Sequence, residues 1–98
     1  MSELDEIRDR LAASKHELHS RYHVSSLALF GSRVRGDAGP RSDLDVLVSF
    51  DAPFGWEIVD LHDYLERLLG VEVDLVTRNA VRSRPLLWEA IQEEMIDV

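Results

Sequence analysis

Apolar residues recur along this chain with two different periods, and the changes between them mark out its elements. From Glu3 to about His23, Leu4, Ile7, Leu11, Leu18 and Tyr22 recur at helical spacing with charged residues between them. Ser2, followed by Asp5 and Glu6, supplies a start signal, with carboxylates where the helix dipole favours them. Ser26 to Phe30 is a short apolar run and reads as a strand. The segment Gly31 to Ser42 is rich in glycine and carries a proline, which makes it turn and loop, with room for one helical turn at Arg33 to Arg35. Leu44 to Phe50 alternates: Leu44, Val46, Val48 and Phe50 share one face, and Asp43, Asp45, Leu47 and Ser49 the other. Trp56 to Leu69 returns to the helical period through Ile58, Leu61, Leu65 and Leu68 and stops at Gly70, a C-cap residue. Val71 to Thr77 alternates again, with Val71, Val73 and Leu75 opposite Glu72, Asp74 and Val76. A last helix runs from Arg84 or Pro85 to Met95, the proline standing in its first turn.

The order is therefore α-β-β-α-β-α. A strand, a helix of about four turns and a further strand make a right-handed crossover, so the second and third strands are expected to be parallel. The shorter connection before the second strand lets the first lie antiparallel to it. The expected fold is α/β (α+β), a small mixed sheet with helices packed mainly on its apolar face. With 98 residues the chain is expected to form one domain, 1–98. Trp56, Trp88 and the helically spaced leucines are expected in the core. The last helix has more apolar residues, Leu86 through Ile96, than one buried stripe requires, which leaves some for an interface, including one with a second copy of the chain.

Charge narrows the partners. The formal net charge is −8, which argues against neutralising the phosphates of extended DNA or RNA. Yet Arg33, Arg35 and Arg41 cluster in the glycine-rich loop, a local patch suited to a small polyphosphate. No run approaches the ~18 to 20 apolar residues of a membrane span, and no signal peptide opens the chain. With no cysteine, disulfides and thiolate metal sites are excluded, and a cytoplasmic location is expected.

Two aspartates at the start of a strand need a reason, because Asp is depleted in strands and its carboxylate is costly to desolvate. Asp43 and Asp45 share a face, and Asp74 takes the corresponding face of the next strand. If the two strands are neighbours, ~4.8 Å apart, three carboxylates converge. Unpaired, they would raise one another's pKa and destabilise the fold; a divalent cation removes the conflict. An all-oxygen ligand set suits Mg²⁺ or Mn²⁺ better than Zn²⁺. Gly31-Ser32 follows the first strand directly, where free backbone N–H groups and a hydroxyl can meet phosphate. An antiparallel return sets that turn beside the aspartates, the arrangement for two-metal nucleotidyl transfer.

Gly31-Ser32, then Asp43-Leu44-Asp45, then Asp74 within a strand resembles the signature of the DNA polymerase β-like nucleotidyltransferase superfamily. The length and the wording Phe30-Gly31-Ser32-Arg33-Val34-Arg35-Gly36 resemble its minimal nucleotidyltransferase (MNT) branch. The resemblance implies that Asp43 and Asp45 bind both of two Mg²⁺ ions. It implies that Asp74 binds the catalytic one and helps to deprotonate the acceptor hydroxyl, and that Gly31 and Ser32 hold the β- and γ-phosphates of ATP. Arg33 is expected to contact the triphosphate; Arg35 and Arg41 are weaker candidates. The implied activity is protein adenylyltransferase, moving AMP from ATP to a tyrosine hydroxyl of a HEPN-domain ribonuclease toxin, with the chain as antitoxin. Two alternatives stand beside it. One is a non-catalytic antitoxin that docks an acidic surface on the toxin. The other is a small-molecule nucleotidyltransferase of the aminoglycoside-modifying kind. His16, His19 and His23, at i, i+3 and i+7, read as exposed helical histidines, since no acid cluster completes a metal site around them, and His62 carries no stronger signal.

Overall fold

The computed structural model describes residues 2–39, 42–53 and 55–98, so Arg41 lies outside the described residues. The amino-terminal helical pattern divides into α1 (Glu3–Ala13) and α2 (Lys15–Tyr22). At Ser14 the backbone leaves helical geometry, its N–H bonding Leu11 O at 3.1 Å, and the bend keeps Ile7, Leu11, Leu18 and Tyr22 in one core. Ser2 caps α1 by accepting from Asp5 N–H at 3.2 Å, as its spacing predicts. Then follow β1 (Val24–Phe30), the single turn α3 (Ser32–Arg35), β2 (Leu44–Phe50), α4 (Glu57–Leu69) and β3 (Val73–Thr77). The chain ends with α5 (Arg78–Arg82), α6 (Pro85–Glu94) and β4 (Ile96–Asp97).

The sheet order is β3-β2-β1-β4. Strands β2 and β3 are parallel, β1 is antiparallel to β2, and the short β4 lies antiparallel on β1's far side. On one face, Leu27, Leu29, Leu44, Val46, Val48 and Val73 pack against α1, α2 and α4. A bulge between Val24 and Ser26 puts Val24 on this face with Leu27, against simple alternation. The other face holds a smaller cluster of Ala28, Leu47, Val81 and Ile91, with Phe30, Val76, Trp88 and Met95 at its margin. Helices α5 and α6 thus cover part of the face that carries Asp45 and Asp74, in addition to the main helical layer on the opposite face.

Trp56 departs from its expected place in the core: it is 86% exposed. The buried stripe of α4 is Leu61, Leu65 and Leu69, and Trp56 stands five residues before it, on another side of the helix. Trp88 is half-buried under the Arg78 guanidinium, 5.4 Å from the ring centroid. Leu86 and Leu87 of α6 are exposed. Among the described residues, no helix is long and apolar enough to cross a membrane.

Candidate active site

Strand register decides which acids meet. Asp45 lies opposite Asp74 across the parallel β2–β3 pair and opposite Phe30, the last residue of β1, across the antiparallel pair. Asp45 and Asp74 therefore stand side by side where β2 and β3 begin and β1 ends. Burial of the half-buried Asp45 raises its pKa to about 6, helped by the charge and hydrogen-bonding contact of Asp74 and the charge of Asp43, with Arg35 opposing them. Asp43, solvent-exposed just before β2, is close enough to be felt by charge. These three carboxylates are not drawn into a tight trio. Among the described residues the one group of ligand-type atoms within 4.8 Å of one another is His62, Asp63 and Glu66. An all-carboxylate set in which one member already holds protons too tightly fits a hard divalent cation, which Asp43, Asp45 and Asp74 would hold.

The Gly31-Ser32 turn sits directly against Asp45. Gly31 is buried with φ 85°, a conformation side-chain-bearing residues rarely adopt, and a Cβ there would collide with the Asp45 carboxylate. Helix α3 begins at Ser32, and neither the N–H groups of Ser32 and Arg33 nor the Ser32 hydroxyl has a partner among the described residues. The structure thus brings Gly31, Ser32, Asp45 and Asp74 together, with Asp43 at the rim.

The Arg33 guanidinium, expected at a triphosphate, has partners within the chain. Its Nε donates to Ser42 O at 2.9 Å and its Nη1 to Glu3 Oε1 at 2.8 Å, so the guanidinium ties the loop to α1. Arg35, the weaker candidate by sequence, is the arginine felt by Asp45. It bonds Asp37 through Nε and both carboxylate oxygens of Glu94 through Nη1. Glu94 had no sequence signal, since only the tertiary return of α6 brings it here.

The trio at His62 has a structural employment. His62 Nε2 lies 2.8 Å from Val73 O, and Glu66 Oε2 accepts from Val73 N–H at 2.9 Å. One turn of α4 thereby completes the outward-facing peptide groups of Val73 on the edge strand, as a neighbouring strand would. Burial works against the His62 cation, but the Val73 carbonyl and the carboxylates of Asp63 and Glu66 outweigh it and hold the pKa above the ordinary value. The i, i+4 spacing of His62 and Glu66 is visible in the sequence; the strand edge they serve is not. Beside this clamp, Ile58, Val59, His62, Val73, Asp74 and Leu75 line an open hollow of about 310 Å³.

Known proteins resemble this chain in sequence and in fold. The model of the nucleotidyltransferase domain family matches residues 11–98. A Methanocaldococcus jannaschii chain provisionally named a protein adenylyltransferase is 40% identical, with all of both chains covered. The protein adenylyltransferase MntA of Thermococcus cleftensis is 44% identical over 84 residues, 85% of each chain. A solved structure provisionally described as a minimal nucleotidyltransferase superposes with a TM-score of 0.74 at 34% identity, covering 98% of this chain and 95% of the other. A toxin–antitoxin crystal structure with AMP-PNP shares the fold, with a TM-score of 0.64 at 22% identity, covering 99% of this chain and 72% of that one. With nearly its whole length matched, the chain belongs to the nucleotidyltransferase domain family, on its minimal nucleotidyltransferase branch.

Proposed function

We propose that the chain transfers AMP from ATP to a tyrosine hydroxyl of a partner HEPN-domain toxin, and in doing so acts as its antitoxin. The observation that carries the chemistry is the pairing of Asp45 with Asp74 in parallel register beside a turn that only glycine permits. The partner rests on likeness: relatives named protein adenylyltransferases, and a toxin–antitoxin structure of the same fold that contains AMP-PNP.

In this reading the N–H groups of Ser32 and Arg33 and the Ser32 hydroxyl hold the β- and γ-phosphates, with Gly31 allowing close approach. The contribution of Arg33 is its backbone, the guanidinium being engaged at Ser42 and Glu3. Asp43 and Asp45 would hold two Mg²⁺ ions, with Mn²⁺ as the alternative, and Asp74 would help to hold the catalytic one. Bound Mg²⁺ offsets phosphate charge and lowers the pKa of an attacking hydroxyl. Asp74 then takes the proton as the acceptor oxygen bonds to the α-phosphorus and the bond to the β-phosphate oxygen breaks, releasing pyrophosphate. The acceptor tyrosine is taken to reach Asp74 over the open edge of β3, where the exposed Val59 and the half-buried Ile58 and Leu75 border a hollow.

The test is incubation with labelled ATP, Mg²⁺ and a candidate HEPN-domain toxin partner, in parallel with Asp45→Asn. Label on a toxin tyrosine with the native chain and none with the variant is the expected result. Toxin inhibition without ATP that survives Asp45→Asn would replace this reading with a non-catalytic antitoxin. Label on small hydroxyl compounds alone would point to a small-molecule nucleotidyltransferase.

A further inference from the structure

One side chain carries the end of α6 back to the Gly31 turn. Glu94 Oε1 accepts from Gly31 N–H at 3.0 Å and from Arg35 Nη1 at 3.2 Å, and its Oε2 accepts from the same Nη1 at 3.0 Å. The Glu94 side chain is 23% exposed, and its backbone is well anchored. Ile91 before it is buried in the smaller cluster, Met95 after it packs on that cluster, and β4 follows at once.

We propose that Glu94 is a positioning residue for the triphosphate, acting through the Gly31 peptide and Arg35. A glycine at positive φ has broad backbone freedom, so a turn built on it needs an external tether to keep the next peptide planes oriented. The tether is charge-assisted at both ends, which makes it stronger than a neutral bond. It takes the Gly31 N–H and leaves those of Ser32 and Arg33 without an acceptor among the described residues, so the donors assigned to phosphate stay open. The same carboxylate fixes Arg35 at the mouth of the turn. A carboxylate that stood in for phosphate would occupy the open N–H groups of Ser32 and Arg33, and Glu94 does not.

This role rests on the nucleotidyl-transfer reading of the site, and the experiment separates the two. The full chain is compared with Glu94→Ala and Glu94→Gln by titration with ATP and with AMP in Mg²⁺, and by amide hydrogen exchange. Glu94→Ala is expected to weaken ATP binding by about tenfold or more, the scale of one charge-assisted contact. AMP, which lacks the β- and γ-phosphates, should bind as before. Glu94→Gln keeps an acceptor oxygen for Gly31 and should recover part of the loss. Exchange at Gly31 should quicken in Glu94→Ala while Leu27 to Leu29 keep their protection. Unchanged or tighter ATP binding, parallel weakening of AMP, or unaltered exchange at Gly31 would each overturn the proposal. Should the native chain bind neither nucleotide, the transfer reading fails, and the exchange measurement still decides whether Glu94 holds the turn.

Discussion

A Cβ built on Gly31 would lie 2.8 Å from Cγ of Asp45, so the turn and the carboxylate occupy space that only glycine leaves free. The proposed phosphate cradle and the proposed metal ligand are thus one packed unit. Gly31→Ala must either displace Asp45 or distort a backbone at φ 85°, ψ −163°, a region all but reserved for glycine, where an L side chain costs about 1 to 3 kcal/mol. Transfer from ATP is expected to fall at least a hundredfold, about 2.7 kcal/mol in barrier, measured as labelled product per minute. Gly36→Ala, where a Cβ meets open space, should suffer only the strain of its own positive φ, lowering the melting temperature and not transfer at saturating ATP.

Ionised Asp45 is held at the expense of stability, as the proposed metal role would require. With its pKa raised to about 6, the folded chain keeps a proton that the unfolded chain releases near pH 3.9. Its contribution to stability is therefore greatest below about pH 4 and is lost as pH rises through about 6. A metal-free chain should gain melting temperature from this group between pH 7.5 and 5, and Asp45→Asn should flatten that part of the profile. At pH 7.5 the same variant should melt above the native chain while having no transfer activity.

Metal binding should reverse this order. At pH 7.5, millimolar Mg²⁺ is expected to raise the melting temperature of the native chain by several degrees and that of Asp45→Asn little, because ligand binding to the folded state alone stabilises it. Equal shifts in a thermal melt would place the ion elsewhere, and the His62–Asp63–Glu66 group would be the next place to look.

That group is expected to matter as a strand clamp. Glu66→Ala removes the acceptor for Val73 N–H, and His62→Ala removes the partner of Val73 O. Each should cost about 1 to 3 kcal/mol, the penalty for an unsatisfied, part-buried peptide group, read from urea denaturation. The loss should persist at saturating EDTA. A loss that vanishes with EDTA would mark the group as a metal site.

Strands and their pairing were legible in the sequence because alternation fixes which side chains share a face, and the crossover rule then fixes direction. The meeting of Asp45 with Asp74 was legible because both fall on the same face of neighbouring parallel strands, whereas the expected close approach of Asp43 gave way to a place at the rim. What escaped was tertiary or too short for a period. The two-residue β4 has no alternation to detect, and α5 is one turn begun by Thr77, whose hydroxyl accepts from Ala80 N–H at 3.2 Å. Trp56 misled because bulk suggests burial, whereas the leucine stripe of α4 decides which side faces inward. Arg33 and Arg35 could not be told apart by sequence: two residues apart on a single turn, they diverge, one toward α1 and the other toward Glu94.

The hollow beside Asp74 yields a prediction that separates acceptor from nucleotide. Val59 is 51% exposed on the outer side of α4 and lines the hollow with Ile58 and Leu75, while the Gly31 turn lies across the sheet beyond β2. A carboxylate at position 59 would face an incoming phenol ring with a charge that must be desolvated, and would add repulsion toward a hydroxyl losing its proton. Val59→Asp should therefore raise the KM for the protein acceptor by about tenfold or more, equivalent to about 1.4 kcal/mol, while the Kd for ATP with Mg²⁺ changes less than about twofold. Val59→Leu, apolar and larger, should keep transfer within a few-fold of native. If Val59→Asp transfers AMP to the toxin with native KM, the acceptor approaches Asp74 from another side, and the exposed Leu86 and Leu87 of α6 become the surface to mutate next.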